Sequence, residues 1–301
     1  MTSIVATEHL SKRYGKRTVV DDLNLRIPEG VVYGFLGPNG SGKTTTMKML
    51  LSLIRPSGGE VQIMGQSMNR QTRRQLLGDI GSLIESPPGY GHLTGRENMR
   101  IVQRLLGLHD KQIDFAVDTV RMRGQMDKQV REYSLGMKQR LGIAMALARQ
   151  PKLLILDEPT NGLDPAGIEE IRDLLKSLAD GGVTVMVSSH LLGEIDKTAS
   201  MLGILSRGRM IFQGTRTELF SASTPDVLIT CDNPRRAHAL VADGAGGALD
   251  GSVVRVPALG ERDTAAVVEV LVRAGIGIYE VRRDEQTLES VFMDLTEGGG
   301  L

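Results

Sequence analysis

The residues best suited to chemistry stand in one glycine-rich run near the start of the chain, Gly37-Pro38-Asn39-Gly40-Ser41-Gly42-Lys43-Thr44. The run fits the phosphate-binding loop called Walker A, whose glycines let backbone N–H groups point at a phosphate. In that pattern Lys43 bridges the β- and γ-phosphates of a nucleotide, and the Thr44 hydroxyl binds Mg²⁺. An ordinary glycine-rich turn is the alternative. The flanks disfavour it, because the apolar run 31–36 predicts a buried strand before the loop and the spacing from Ser41 predicts a helix after it.

A pair of carboxylates follows a second apolar run, Leu153 to Leu156, which also predicts a buried strand. Alone, an Asp-Glu pair at a strand end is typical of a solvated turn. In a chain that carries a phosphate loop, the pair predicts a metal site and a base. Asp157 would hold Mg²⁺ through water, and Glu158 would polarise the attacking water as general base. The base-recognition run Asn-Lys-x-Asp is absent from the sequence, which disfavours GTP as the nucleotide.

The composition is that of a folded chain of about two domains, with 301 residues, 41% of them hydrophobic and 24% charged. The 36 basic residues balance 36 acidic residues, and this zero net charge argues against non-specific binding to nucleic acid. The single cysteine, Cys231, excludes an internal disulfide and a four-thiolate zinc site. No stretch approaches the ~18 consecutive apolar residues of a membrane helix, and Met1 to Glu8 lack the pattern of a signal peptide. We therefore expect a cytoplasmic protein, so that activity at a membrane would require other chains to cross it.

Strands and helices alternate along the first 220 residues, which predicts a largely parallel sheet covered by helices. Residues 3–29 predict short strands separated by turns. A mostly helical stretch, 89–147, contains Thr94 and Glu97 at the spacing of a capping box. The remaining predicted elements are strands at 80–84 and 183–187, a helix at 168–178 and a hairpin at 201–212.

The composition changes near residue 220, since no lysine follows Lys197 and Ala, Gly, Val and Arg dominate the remainder. We therefore predict a domain boundary at 220/221, with 221–225 as a linker. Beyond it the patterns predict a small α+β domain over 221–301. Its predicted elements are strands at 227–230, 253–256 and 277–281, helices at 234–241 and 263–274, a last helix from Leu288 and a glycine tail at 298–300.

Further motifs carry a family resemblance. The run Tyr133-Ser134-Leu135-Gly136-Met137-Lys138-Gln139-Arg140 resembles the signature motif of ATP-binding-cassette (ABC) ATPases, and Asn161-Gly162-Leu163-Asp164 resembles their D-loop. His190, after a predicted strand, is similar to their switch histidine, and Tyr14 to the aromatic residue that stacks on adenine. The motifs stand in the family's order, so residues 1 to about 220 resemble an ABC nucleotide-binding domain.

The resemblance implies an α/β P-loop cassette ATPase with a mostly parallel core sheet, an N-terminal antiparallel sheet and a helical subdomain at about 86–147. It also implies a dimer of two like or related ATPase subunits, which meet head to tail around two ATP molecules. Ser134 and Gly136 of one copy would face the γ-phosphate held by the other. The implied catalytic residues are Glu158, His190 and Glu85, and the implied Mg²⁺ ligands are Thr44, Glu85 and Asp157. The implied ATP-binding residues are Tyr14, Gly37, Pro38, Asn39, Gly40, Ser41, Gly42, Lys43, Thr44, Thr45, Ser134, Gly136 and Asp164.

Two features depart from the family's pattern. Leu135 and Met137 replace the glycine and glutamine of the common signature, whereas its serine and second glycine are kept. Glu85 stands where the family has the Q-loop glutamine, and a carboxylate can bind Mg²⁺ or orient water but cannot donate an amide hydrogen bond. A glutamate here, with this signature, resembles the lantibiotic-immunity and bacitracin-resistance exporters. The run Leu288 to Thr296 resembles the end of antibiotic-exporting ATPases. A chance substitution at Glu85 is the alternative.

The expected function is therefore the ATP-hydrolysing subunit of an exporter for antimicrobial peptides or related antibiotics. Its partners would be separate transmembrane permease subunits, and it would lie on the inner face of the cell membrane. The alternative is a soluble ABC ATPase that acts on ribosomes or DNA. The long coiled coil of the DNA-repair type and the tandem cassettes of the ribosomal type are both missing from the sequence, and the zero net charge argues against a nucleic-acid partner.

Overall fold

The strands up to residue 216 form two sheets in this computed structural model, which describes residues 3–85, 87–190, 193, 195, 197–221, 225–257, 259–284, 287–288 and 291–292. The strands are β1 (Ser3–Tyr14), β2 (Arg17–Leu23), β3 (Arg26–Pro28), β4 (Val32–Leu36), β5 (Gly58–Ile63), β6 (Gln66–Ser67), β7 (Ile80–Leu83), β8 (Leu153–Asp157), β9 (Thr184–Ser189), β10 (Met201–Ser206) and β11 (Arg209–Thr215). The helices are α1 (Lys43–Leu50), α2 (Arg73–Leu76), α3 (Gly95–Leu106), α4 (Asp110–Thr119), α5 (Leu135–Leu147) and α6 (Pro165–Asp180). Short 3-10 turns cover Leu77–Asp79, Arg123–Gln125 and Val130–Glu132.

The larger sheet has six strands in the order β11-β10-β4-β9-β8-β7, and every neighbouring pair except β10–β11 is parallel. All residues of β4, β8 and β9 are buried, as expected for central strands covered on both faces. The predicted parallel sheet is therefore confirmed. Its strand order matters for function because the carboxyl ends of β4, β9 and β8 lie side by side.

The second sheet is antiparallel and is built around β1, which pairs with β2, β3 and β5. Its apolar residues join those of the parallel sheet in one core, as Val5 and Ile63 do with Phe35 and Met186. The predicted N-terminal antiparallel sheet is thus confirmed. The prediction of short strands is wrong for β1, which runs for 12 residues.

Helices α3, α4 and α5 form the region predicted to be mostly helical. The predicted capping box at the start of α3 is confirmed, because Glu97 N donates to Thr94 Oγ1 at 3.1 Å and Thr94 N donates to Glu97 Oε2 at 2.7 Å. The helix ends at Gly107, whose φ of +64° is the left-handed conformation that suits glycine at this position. In the described part of the chain, no helix has both the length and the apolar character needed to cross a bilayer.

The chain divides into two compact units between Arg216 and Thr217. The elements from there on are α7 (Arg216–Ser221), β12 (Val227–Cys231), α8 (Pro234–Ala245), β13 (Ala248–Asp250), β14 (Val253–Val256), α9 (Glu261–Arg273) and β15 (Ile278–Arg283). The second unit's strands form an antiparallel sheet in the order β13-β14-β12-β15, the topology of a split βαβ unit. Its core includes Ile229, Val254, Ala237 and Leu271.

The pattern-based prediction for this unit is correct in its main elements and incomplete in two. Neither helix α7 nor strand β13 was predicted. Helix α7 ends at Ser221, the first residue of the predicted linker. Residues 222–224 of the linker, the tail 298–300 and most of the helix predicted from Leu288 lie outside the described residues.

Candidate nucleotide-binding and catalytic site

The glycine-rich loop leaves β4 and enters α1 through a backbone that only glycine fits. Gly42 precedes the helix with a φ of +108°. A Cβ atom at Gly42 would lie 2.8 Å from the carbonyl oxygen of Val19, and one at Gly37 would lie 2.4 Å from that of Leu205. These approaches are too close for any side chain, so the two glycines let the loop pass directly beside the backbone of Val19 and Leu205.

Lys43 is the buried cation of this loop, with a side chain only 6% exposed. Its Nζ donates to the Gly37 carbonyl oxygen at 2.7 Å and lies 3.8 Å from Glu158 Oε1. Burial lowers the pKa of Lys43 below its ordinary value, although the charges of Glu158 and Asp157 act in the opposite direction. The ammonium therefore lies folded onto its own loop, where it can turn to an incoming phosphate.

Ser41 supplies independent support for a ligand in the loop. Its side chain is 3% exposed, and its Oγ has no hydrogen-bond partner among the described residues. Buried hydroxyls are normally hydrogen-bonded, so an unpaired one at the start of a helix indicates a group that the loop receives. A nucleotide phosphate fits this donor.

A chain of hydrogen bonds joins the end of β8 to both neighbouring elements. Thr44 Oγ1 donates to Asp157 Oδ2 at 2.7 Å, and Ser188 Oγ donates to Asp157 Oδ1 at 2.5 Å. Ser188 Oγ also accepts from Glu158 N at 3.0 Å. The predicted closeness of Thr44 and Asp157 is thus observed, and these two oxygens are the hard ligands that Mg²⁺ prefers.

Ser188 was not predicted, although its hydroxyl connects the Asp157 carboxylate to the backbone N–H of Glu158. A signal was available in the sequence, because the run Ser188-Ser189-His190 ends a predicted strand. In the structure this strand, β9, lies directly beside β8, with Asp157 paired to Ser188.

Glu158 and His190 form the predicted base and its neighbour. His190 Nδ1 hydrogen-bonds to Glu158 Oε2. Glu158 has a φ of +50°, a left-handed conformation that costs a non-glycine residue on the order of 1–3 kcal/mol.

Glu85 does not lie with Thr44 and Asp157, the other two predicted metal ligands. It follows β7 with a φ of +68°, and its Oε1 accepts from Lys48 Nζ at 2.5 Å. Lys48 stands one helical turn after Thr44 on α1, so Glu85 is held one turn further along the same helix. The structure therefore brings Glu85 to Lys48, whereas it brings Thr44 to Asp157.

Tyr14 and the rest of the loop are accessible to a ligand. Tyr14 is 52% exposed, and Lys12 Nζ lies 4.9 Å from the centroid of its ring. Pro38, Asn39 and Gly40 are exposed, whereas Thr45 is half-buried in α1.

Ser134, Gly136 and Asp164 form a second surface. Ser134 caps α5 by accepting from Met137 N, and Asp164 caps α6 by accepting from Gly167 N at 3.1 Å. The two helix starts are in contact, because a Cβ atom on Gly162 would lie 2.9 Å from Leu135 Cδ2. The three residues line one hollow of about 570 Å³, the place where the predicted signature and D-loop meet.

Comparison with known proteins decides the family. A family model described as "ABC transporter" matches residues 20–161. The chain is 38% identical to the bacitracin transport ATP-binding protein BcrA of Bacillus licheniformis, over 99% of both chains. The chain belongs to the ATP-binding proteins of ABC transporters. It is also 44% identical to the lantibiotic transport ATP-binding protein SrtF of Streptococcus pyogenes, over 68% of this chain and 88% of the relative.

Among solved structures, the ABC ATPase resembles CbiO1 of Clostridium perfringens, described as part of the transporter complex CbiONQ. The two superpose with a TM-score of 0.68 at 28% identity, over 73% of this chain and 92% of the other. As an ABC ATPase the protein binds and hydrolyses ATP.

Proposed function

We propose that this ABC ATPase powers the export of antimicrobial peptides of the bacitracin or lantibiotic type through separate membrane subunits. The observation that carries the proposal is the similarity to a bacitracin transport ATP-binding protein over 99% of both chains, C-terminal unit included. The lantibiotic transport relative, at higher identity over 68% of this chain, supports the same substrate class. Glu85, the residue that first suggested this subgroup, stands at the exit of β7.

We propose the following roles for the residues of this site. Lys43 and the loop N–H groups hold the β- and γ-phosphates, with Ser41 Oγ as a further donor. Thr44 and Asp157 are the proposed Mg²⁺ ligands, since their oxygens already lie 2.7 Å apart. The bound ion would neutralise charge that develops on the phosphates.

Hydrolysis follows from Glu158 and His190. Glu158 accepts a proton from water as the water oxygen attacks the γ-phosphorus and the bond to the bridging oxygen breaks, which leaves ADP and inorganic phosphate. His190 holds the Glu158 carboxylate through Oε2 and orients its other oxygen. Glu158 is therefore the catalytic base of the proposed mechanism, and His190 its positioning residue.

The second surface requires a second copy. Ser134 and Gly136 of one protomer would face the γ-phosphate held by its partner, with Asp164 at the same junction, so that each ATP lies between two copies. Tyr14 would stack on adenine. We further propose that the dimer sits on the inner face of the membrane against the permease and that nucleic acid is not a partner.

The experiment starts from a host strain that lacks this gene and measures its susceptibility to the peptides after either the unmodified chain or a variant is supplied. Restoring the unmodified chain is expected to raise resistance to bacitracin or to a lantibiotic, whereas Glu158→Gln is expected to restore none. Glu60→Gln is the matched control, since it neutralises an exposed carboxylate on β5. Equal susceptibility with the unmodified chain and with Glu158→Gln would overturn the proposed function.

A further inference from the structure

The outer strand of the C-terminal sheet, β15, has an exposed edge. It pairs with β12 and ends the sheet order β13-β14-β12-β15. All its residues after Ile278 are exposed, and the exposed fractions of Tyr279 and Val281 are 73% and 40%. A six-residue edge with free backbone groups can pair with another strand, and folded proteins rarely leave one without a use or a defence.

The register shows which backbone groups are free. Asp284 N donates to Asp226 O at 2.8 Å, and the pairing continues as Leu228 with Arg282 and Thr230 with Glu280. Because hydrogen-bonded positions recur every second residue, Glu280 and Arg282 turn their backbone groups towards β12. In the described part of the chain, Val281 and Arg283 therefore turn their N–H and C=O groups outwards.

This free edge is complementary to itself. If two copies of β15 pair antiparallel about a two-fold axis at Val281, the outward groups of Val281 meet those of the partner subunit's Val281. Glu280 then stands opposite Arg282 of the partner subunit. Tyr279 lies at a register shift between Glu280 and Ile278, so the regular pairing ends at Glu280. The Glu280–Arg282 pairs fall at non-hydrogen-bonded positions, where opposed side chains come closest, with Cα atoms about 4.5 Å apart.

Neighbouring registers lack this complementarity. An axis moved to Glu280 places two glutamates opposite each other, and an axis moved to Arg282 places two arginines opposite each other. Like charges directly opposite across strands are destabilising. The charge pattern therefore favours the one register in which Val281 lies on the axis.

We propose that β15 is a homodimer interface, where two copies of this chain join their four-stranded sheets into one sheet of eight strands. The contact is isologous, as closed two-fold dimers require. It does not involve ATP, so it goes beyond the nucleotide-dependent dimer proposed above. Combined with that proposal, it would keep two cassettes at high effective concentration between rounds of hydrolysis.

The first test measures the mass of the full chain by sedimentation equilibrium, without nucleotide and with EDTA. We expect a dimer for the unmodified chain and at least about ten-fold weaker association for Glu280→Arg and for Arg282→Glu, because each converts two attractive pairs into repulsive ones. The double variant exchanges the charges and should restore association. A monomeric unmodified chain, singles that associate as tightly as the unmodified chain, or a double that stays dissociated would each overturn the proposal.

The second test fixes the axis with cysteines. Hydrogen-bonded opposite residues have Cα atoms about 5.5 Å apart, within reach of a disulfide. Val281→Cys is therefore expected to cross-link on mild oxidation, whereas in the matched control Tyr279→Cys the two cysteines lie on opposite sides of the axis and are too far apart to join. The natural Cys231 is buried. Cross-linking of Val281→Cys no greater than the control would overturn the register. Neither test uses ATP, so their failure is distinct from a failure of the proposed export function.

Discussion

Replacing Lys48 by methionine is expected to lower the Mg²⁺ concentration that the ATPase requires. The family resemblance implies that Glu85 is an Mg²⁺ ligand, but the structure pairs it with Lys48 at 2.5 Å. Glu85 must leave that ion pair before it can reach a metal held by Thr44 and Asp157. Methionine keeps the length of the Lys48 side chain and removes the charge.

The size of the effect follows from the exposure of the pair. The side chains of Lys48 and Glu85 are 30% and 64% exposed, so the pair belongs to the class of accessible ion pairs worth ~0.2–1 kcal/mol. Removing this competition corresponds to a ~1.4- to ~5-fold lower half-saturating Mg²⁺ concentration. The assay is phosphate release at saturating ATP with Mg²⁺ as the titrant.

A double-mutant cycle provides the control. Lys48→Met also removes a positive charge near the phosphates, which affects Mg²⁺ binding whatever the residue at position 85. This general effect is the same when Lys48→Met is made in a Glu85→Gln background. The cycle therefore isolates the direct coupling of the pair. Equal Mg²⁺ shifts in both backgrounds would refute the reasoning, as would a higher Mg²⁺ requirement in the single variant.

Four further predictions concern single positions. Glu85→Ala should reduce peptide resistance in cells more than ATP affinity in vitro, because the loop supplies most of the binding, and unchanged resistance would make this glutamate a neutral substitution. Glu158→Gln should abolish phosphate release yet retain ATP in a filter-binding assay, since the phosphate ligands remain, and full turnover would contradict the assignment of the base. Lys43→Met should lose ATP binding. Burial lowers the pKa of Lys43, so as the pH rises the folded chain releases this proton before the unfolded chain does. In urea titrations at alkaline pH, the free energy of unfolding of the wild type should therefore increase relative to that of the variant. Gly203→Ala should destabilise the fold by ~1–3 kcal/mol, since its Cβ would lie 2.1 Å from Tyr33 Oη, and Tyr33→Phe should recover part of the loss in thermal melts.

The part of the site that local sequence determines could be predicted. The phosphate loop and the Asp157-Glu158 pair each follow a run of buried apolar residues, and parallel strands place such ends side by side. Capping residues such as Thr94 act within one turn and are equally visible.

Contacts between distant segments could not be predicted. Glu85 and Lys48 are separated by 37 positions, and their meeting depends on how the chain turns after β7. The length of β1 was missed because register shifts at Leu10 and Lys12 interrupt the alternation of side chains that identifies a strand. The three-residue β13 is too short for any pattern to indicate it.

Ser188 has a consequence for how substitutions in this site combine. Its single hydroxyl donates to the Asp157 carboxylate and accepts from the backbone of Glu158, so the metal ligand and the base share one support. Replacing Asp157 removes the acceptor of this hydroxyl and so disturbs the hydrogen bond that supports the backbone of Glu158. Losses measured for Asp157 and Ser188 separately should therefore not add when both are changed, and Ser188→Ala should weaken metal binding and water activation together.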